Sequence, residues 1–338
     1  MDNKQVLDIS TSSIIRVFVV LLVIAFLFSI WPILANIFLA IVIASGVEPA
    51  VRGLAKIKIP RFFSAVIIYL AGFLIFTAVF YMVVPSLITE IKQLSADVPG
   101  KYTELIAVVE QFFGRSPSPA NTQEQFGNFF NNIQTRISGE ASNIFGFISD
   151  LFGNVMSFML VLIISFYLVI QKNGIERFLE SFVPDRHKEY AVDLWKRVQS
   201  RLGRWFQVQL LLGIFVGTFM FLALWLFGIK YTLTIAFMAG VLEIIPVIGP
   251  IVAGLITFIL VSSQSPLLAL GAIAIYFGIE QIQQNLLVPN FLSKAIGLNP
   301  VLIIIALLVG AQLMGFWGIV LAIPISVTLL EFFKDFRK

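Results

Sequence analysis

The sequence predicts an all-α integral membrane protein of about seven to eight transmembrane helices, with broken or re-entrant hairpins in its C-terminal half and a small extramembrane helical insert. Three observations lead there. Hydrophobic residues make up 59% of the 338 and charged residues only 12%, against roughly 45–50% and about 25% in soluble domains. No charge interrupts 17–47 or 62–89, and each stretch exceeds the roughly 20 residues that cross a bilayer. After Gly228 the apolar runs become short, are cut by Gly and Pro, and carry Glu, Gln and Asn.

The first apolar run, Ile14–Trp31, is too long for a signal-peptide core and has no small-residue cleavage site after it. Pro32 leads directly into a second run, so 14–31 and 33–47 read as a membrane hairpin. Arg52, Lys56, Lys58 and Arg61 against one acid mark 48–61 as cytoplasmic by the positive-inside rule. Residues 62–85 form the third span and complete an N-terminal unit, 1–85.

Residues 86–150 carry four basic and seven acidic side chains. The segment RSPSPANTQEQ inside them reads as a surface loop, and its flanks read as amphipathic helices. This is the expected non-cytoplasmic module. Its plain reading is a solvated cap, and its sharper reading a part in gating or substrate access. The third unit, 151–206, holds a fourth span and a segment with eight basic and five acidic residues between 172 and 204. There Trp195, Trp205 and Leu202 share helical spacing with Lys196, Arg197, Arg201 and Arg204. That is the pattern of a helix lying at the interface with basic tips reaching the headgroups.

The last unit, 207–338, begins with a fifth span whose Gln207 and Gln209 fit an interface position. Its breaks are the most informative local features. Pro246 and Pro250 flank Gly249, so a continuous helix is obstructed there. In hydrocarbon such a break survives only where protein or water satisfies the backbone. It is either a surface loop or a re-entrant element lining a pathway. The stretch GAQLMGFWG, with Gly310, Gln312, Gly315 and Gly318, is the candidate partner break, and Asn299-Pro300 opens its block. Two broken hairpins are therefore expected, around 231–263 and 300–331. Counting crossings places both termini in the cytoplasm.

Two polar features could carry chemistry. Glu243 lies three residues before Pro246 in apolar sequence, where a charge costs at least roughly 2.5–3.5 kcal/mol without a partner or water. It is a proton carrier, or else an interfacial or capping group. Glu280, Gln281, Gln284 and Asn285 fall on one helical stripe with Phe277 and Val288. Such a stripe should face the protein interior or an aqueous path, either for interhelical hydrogen bonding or for transport.

Enzyme readings fare badly. There is no HExxH, no GxGD and no P-loop, and the single histidine, His187, sits in a charged segment. With no cysteine, thiolate metal sites and disulfides are excluded. No cofactor is expected, and placement between spans argues against a nucleic-acid partner for the basic helix.

The stretches GVLEIIPVIGPIVAG (240–254) and IEQIQQNLLVPNFLSKAIGLNPVLIIIALLVGAQLMGFWGIVLAIPIS (279–326) resemble the signature of the AI-2E transporter family. The order of spans, basic loop, insert and broken C-terminal half also matches. The resemblance implies a prokaryotic inner-membrane secondary transporter in contact with the lipid bilayer. It would export a small polar solute such as autoinducer-2, or exchange Na⁺ or Li⁺ for H⁺, and assemble as a homo-oligomer such as a pentamer. The matching positions are Glu243, Pro246, Gly249 and Pro250, then Glu280, Gln284, Asn285 and Pro289, then Asn299, Pro300, Gly310, Gly315, Gly318 and Pro324. Many relatives carry an acid near 284–285, where this chain has amides and Glu280 is the nearest carboxylate. A scaffold without transport, docking through 86–150 and 191–206, is the alternative from another class. A channel is the third.

Overall fold

A computed structural model of the chain describes residues 11–79, 81–83, 85–86, 89, 155–171, 173–262, 264–292 and 297–335. The expected module at 86–150 lies almost wholly outside the described residues. The described residues are helical, joined by short turns. In order they are α1 (Thr11–Lys56), α2 (Arg61–Val83), α3 (Val155–Ile170), α4 (Gly174–Phe182), α5 (Asp185–Leu226), α6 (Thr232–Leu242), α7 (Ile248–Ser262) and α8 (Pro266–Ile282). A π-helical segment, Gln283–Leu292, continues α8, and α9 covers Pro300–Asp335. Among the described residues five helices are long and apolar enough to cross a membrane, or six if the bent α3–α4 pair counts as one span.

The hairpin expected at Pro32 is not formed. α1 runs without a turn through Pro32 and Pro49. A proline in a helix removes one backbone bond, whereas a loop in hydrocarbon would expose several unsatisfied groups. The crossing count that placed both termini on one side used that hairpin as two spans, so it does not carry over.

A second correction concerns the basic segment before span five. Residues 185–226 form one helix, about 63 Å long at 1.5 Å per residue, so its charged half extends the span instead of lying flat. α4 is the element that turns, at 86° to α3. The arginines of α5 do not simply reach for headgroups. Arg201 Nε pairs with Glu331 at 2.5 Å, and Arg197 pairs with Asp335 at 2.6 Å and with Asp193 at 3.0 Å. These pairs tie the end of α9 to α5. At the same level Glu48 is gripped by Arg52 and Arg61, each at 2.7 Å, and Arg61 Nε donates to the Val169 carbonyl at 2.8 Å. One end of the bundle is therefore laced by Arg–carboxylate pairs joining α1, α2 and α3 in one group and α5 and α9 in another.

Within the bundle, small residues let backbones touch. Gly203 packs on the Ser45 carbonyl of α1, and Gln207 donates to the Gly46 carbonyl at 2.8 Å. Gly213 and Gly217, a GxxxG pair, meet Gly240 of α6. A Cβ on Gly213 would stand 2.5 Å from the Gly240 oxygen. Above these contacts Val216, Met220, Ile235, Ala253, Ala272 and Tyr276 form a core shared by α5, α6, α7 and α8.

Both broken hairpins are present. α6 and α7 have 11 and 15 residues, about 16 and 22 Å, so each falls short of a roughly 30 Å core. The second lies within α9. Gly315 leaves helical geometry at φ 57° and ψ −133°, and the backbones of Gly310 and Gly318 come into direct contact. Residues eight apart on a straight helix would be about 12 Å apart, so the two arms fold against each other.

The α5–α6 contact gives a test. Gly213→Val should force overpacking of about 1–3 kcal/mol and lower the melting temperature in detergent, read by size-exclusion after heating. Gly271→Ala, with nothing within 4 Å of its Cβ position, should melt like the wild type.

Candidate functional site

The site is the tip of the first hairpin. α6 ends at Leu242, and Glu243–Val247 form the turn before α7. Gly249 packs so closely on the Leu242 carbonyl that no Cβ fits, which explains a glycine between two prolines. Val247 sits at φ 70°. For a β-branched residue that conformation costs on the order of 1–3 kcal/mol and persists only where its surroundings enforce it.

The Gly213–Gly240 contact fixes what the tip meets. One turn before that contact on α5 is Gln209, and three residues beyond Gly240 is Glu243. Gln209 Nε2 donates to the Glu243 backbone carbonyl, which helix termination leaves without an intrahelical donor. From the other side α8 presents Tyr276, Glu280 and Gln283. Gln283 Nε2 donates to Glu243 Oε1, and the Tyr276 hydroxyl donates to the Pro250 carbonyl at 2.9 Å. The Glu280 carboxyl lies beside both Glu243 and Tyr276.

All these groups are buried. Relative exposure is 3% for Glu243, 6% for Glu280, 0% for Gln283 and 2% for Gln209. Among the described residues each of the four keeps one buried oxygen without a hydrogen-bond donor: Gln209 Oε1, Glu243 Oε2, Glu280 Oε1 and Gln283 Oε1. Buried acceptors in this state cost about 1–3 kcal/mol each, more when charged. Four of them in one buried polar cluster make it rich in acceptors, a chemistry suited to a proton, a small cation or a hydroxyl group.

The predicted residues divide. Glu243, Gly249, Pro250 and Glu280 come together, with Pro246 in the same turn. Gln281, Gln284 and Asn285 are exposed on the outside of the chain, so of the four polar stripe residues Glu280 is the buried one. The inward face of α8 runs through Ala269, Ala272, Tyr276, Ile279 and Glu280 to Gln283. It is rotated from the predicted stripe because small residues and Tyr276, not the amides, make the helix contacts. Asn299 and Pro300 open α9: Asn299 Oδ1 accepts from the Val301 amide at 2.9 Å, as a helix cap. Gly310, Gln312 and Gly315 belong to the second hairpin, and among the described residues no hydrogen bond or ion pair joins them to Glu243. The second arm of α9 does approach the tip, since Leu321 and Pro324 line a small apolar cavity with Gln209 and Ile244.

Sequence reasoning read Gln209 as an interface residue, whereas it is buried against the Glu243 carbonyl, and it missed Gln283 and Tyr276 as site residues. A signal existed for Gln209: it lies one turn before the GxxxG pair, on the same helix face. Gln283 lies three residues after Glu280, but it opens the π-helical segment, whose wider i→i+5 winding spoils an α-helical count.

Comparison with known proteins bears on the same arrangement. The profile of AI-2E family transporters matches residues 16–338. The chain belongs to the AI-2E transporter family. Relatives include YueF of Bacillus subtilis, 26% identical over 298 residues, which cover 85% of this chain and 80% of YueF. The sll0063 protein of Synechocystis is 28% identical over 308 residues, covering 87% of this chain and 75% of its own. PerM of Escherichia coli K12 is 26% identical over 176 residues, about half of each chain (51% and 49%). The first two bear provisional names as transport proteins and PerM as a permease. With its membrane-length helices, this AI-2E family chain is a multi-pass membrane transporter.

Replacing the two neighbouring amides should separate interior from surface. Gln283→Leu leaves the Glu243 carboxyl without its donor and should destabilise by about 1–3 kcal/mol. Gln284→Leu should shift the melting temperature by no more than about one degree, in line with an exposed site.

Proposed function

We propose that the chain is a secondary transporter whose pathway passes the tip of the first hairpin, and that Glu243 and Glu280 hold the coupling proton. The observation that carries this is a buried cluster of two adjacent carboxyls and two amides, each keeping one oxygen without a donor among the described residues. Two carboxylates this close repel each other unless a proton or cation lies between them. Displacement of a proton by Na⁺ or Li⁺ would leave the same oxygens satisfied, which is the chemistry of cation/proton exchange. A helix broken by Gly and Pro inside the bundle, as at 243–250, is where transporter sites are built.

Export of a small hydroxyl-rich solute of the autoinducer-2 kind is the second reading. It draws on the same cluster, because hydroxyls would supply the missing donors to Gln209, Gln283 and the carboxyls. The coupling ion and the solute are separable by experiment.

The orientation we propose puts the Arg-rich end, with the C-terminal end of α9, in the cytoplasm of a prokaryotic inner membrane. The continuous α1 lends no support to placing the N-terminus there too. We also propose a homo-oligomer, a pentamer being the assembly the family resemblance suggests. Gln281, Gln284 and Asn285 point outward from a membrane-length helix, and amides there require protein or water rather than acyl chains.

In proteoliposomes loaded with a pH-sensitive dye, Na⁺ or Li⁺ should drive proton efflux. Glu243→Gln and Glu280→Gln should each cut that flux at least about tenfold, while Gln284→Leu should keep most of it. Wild-type flux indifferent to both cations would end the exchange reading and turn attention to metabolites exported by deletion and overexpression strains. Because the chain has no cysteine, Gln284→Cys is a clean probe of assembly. A disulfide-linked species on mild oxidation in membranes is expected, and its absence would remove this face from the interface.

A further inference from the structure

A second polar site lies away from the hairpins, at the Arg-rich end. A cavity of about 620 Å³ opens between the end of α1, the α3–α4 elbow and α5, within the roughly 300–1,000 Å³ typical of small-ligand sites. Its apolar lining is Ile41, Ala44, Leu168 and Val169, and its polar lining includes Arg52, Lys56, Arg61 and the amides of Gln171 and Gln199, with Trp195. Ile41, Ala44, Arg52 and Lys56 follow one another along the same helix, α1, so the lining passes from apolar to basic toward its end.

The charges in the cavity do not cancel. Its carboxylates are Glu48 and Glu176. Glu48 is held by both Arg52 and Arg61, and Glu176 has Lys196 at 3.9 Å. Lys56 has no ion pair or hydrogen bond among the described residues. Arg52 uses Nε on Glu48, while its side chain is 65% exposed, so its terminal N–H groups can turn to a ligand. The 86° bend before α4 also brings Asn173, Gly174 and Ile175, the start of that helix, onto the rim, adding partial positive charge.

We propose that this cavity binds a phosphate-bearing anion, with Lys56 and Arg52 on its oxygens and the apolar lining of Ile41 and Leu168 against its carbon skeleton. Guanidinium, ammonium and amide donors around one space are the complement of a tetrahedral oxyanion. The apolar lining, with a tryptophan beside it, fits a glycerol or acyl stem better than free inorganic phosphate. Two sources have this chemistry: the headgroup of an anionic phospholipid and a soluble organic phosphate.

Binding to the full chain in detergent can be followed by native mass spectrometry with phosphatidylglycerol, phosphatidylcholine and glycerol 3-phosphate. The double variant Lys56→Glu/Gln199→Leu leaves the Glu48–Arg61 clamp intact, and Lys230→Glu, beside Gln264 at the far end of the hairpin, controls for net charge. Wild type should retain phosphatidylglycerol over phosphatidylcholine by about tenfold or more, the double variant should lose that preference, and Lys230→Glu should keep it. Glycerol 3-phosphate bound by wild type and not by the double variant would assign the site to a soluble phosphate. Equal retention of both lipids by wild type, with no glycerol 3-phosphate bound, would overturn the proposal. So would a double variant of native elution volume that binds as wild type does.

Discussion

Where a helix stops inside a membrane, its free carbonyls must find partners in the protein, and the Glu243 carbonyl at the end of α6 finds one on α5. Gln209 of α5 meets that carbonyl, and Tyr276 of α8 adds a bond to the Pro250 carbonyl in the first turn of α7. The rest of the C-terminal half is arranged to make those two bonds possible. The glycines at 213, 217 and 240 bring α6 within backbone contact of α5, and Gly254 lets the Tyr276 ring lie against α7. A bulkier residue at either place would move the tip away from its donors.

That requirement also delivers the chemistry. The helices that satisfy the broken backbone carry Gln283 and Glu280 on the same face as Tyr276, so the Glu243 side chain enters a polar pocket rather than lipid. Satisfying the backbone leaves the side-chain oxygens only partly met. A purely structural network would be expected to close on itself, because half-satisfied polar groups cost more than apolar packing. The excess of acceptors is what separates this cluster from an ordinary interhelical contact.

The Arg-rich end serves a different purpose. Glu48 and Glu331, both buried, are each shared by two or more cations, at least one of them on another helix. Removing one member of such a group would leave an uncompensated buried charge, which is far more costly than the net worth of the pair. These clamps hold α1, α2 and α3 together and α5 to α9 at one end, while the tip of the first hairpin is buried between α5 and α8.

The sequence by itself determined the membrane-helical class, the two broken hairpins and the placing of Glu243 beside a Pro/Gly break. Those follow from local properties: apolar length, missing N–H groups, and the conformations that only glycine adopts, as at Gly315. It did not determine that α1 passes straight through Pro32, since one lost hydrogen bond weighs little against a loop in hydrocarbon. It could not choose among the amides after Tyr276 either. Periodicity says which residues share a face but not how that face is turned toward the rest of the protein. Gln209 and Gln283 stand 34 and 40 residues from Glu243. Only the packing of α6 against the α5 glycines, and of α8 through its alanines, decided that these two amides and not Gln281, Gln284 or Asn285 complete the site.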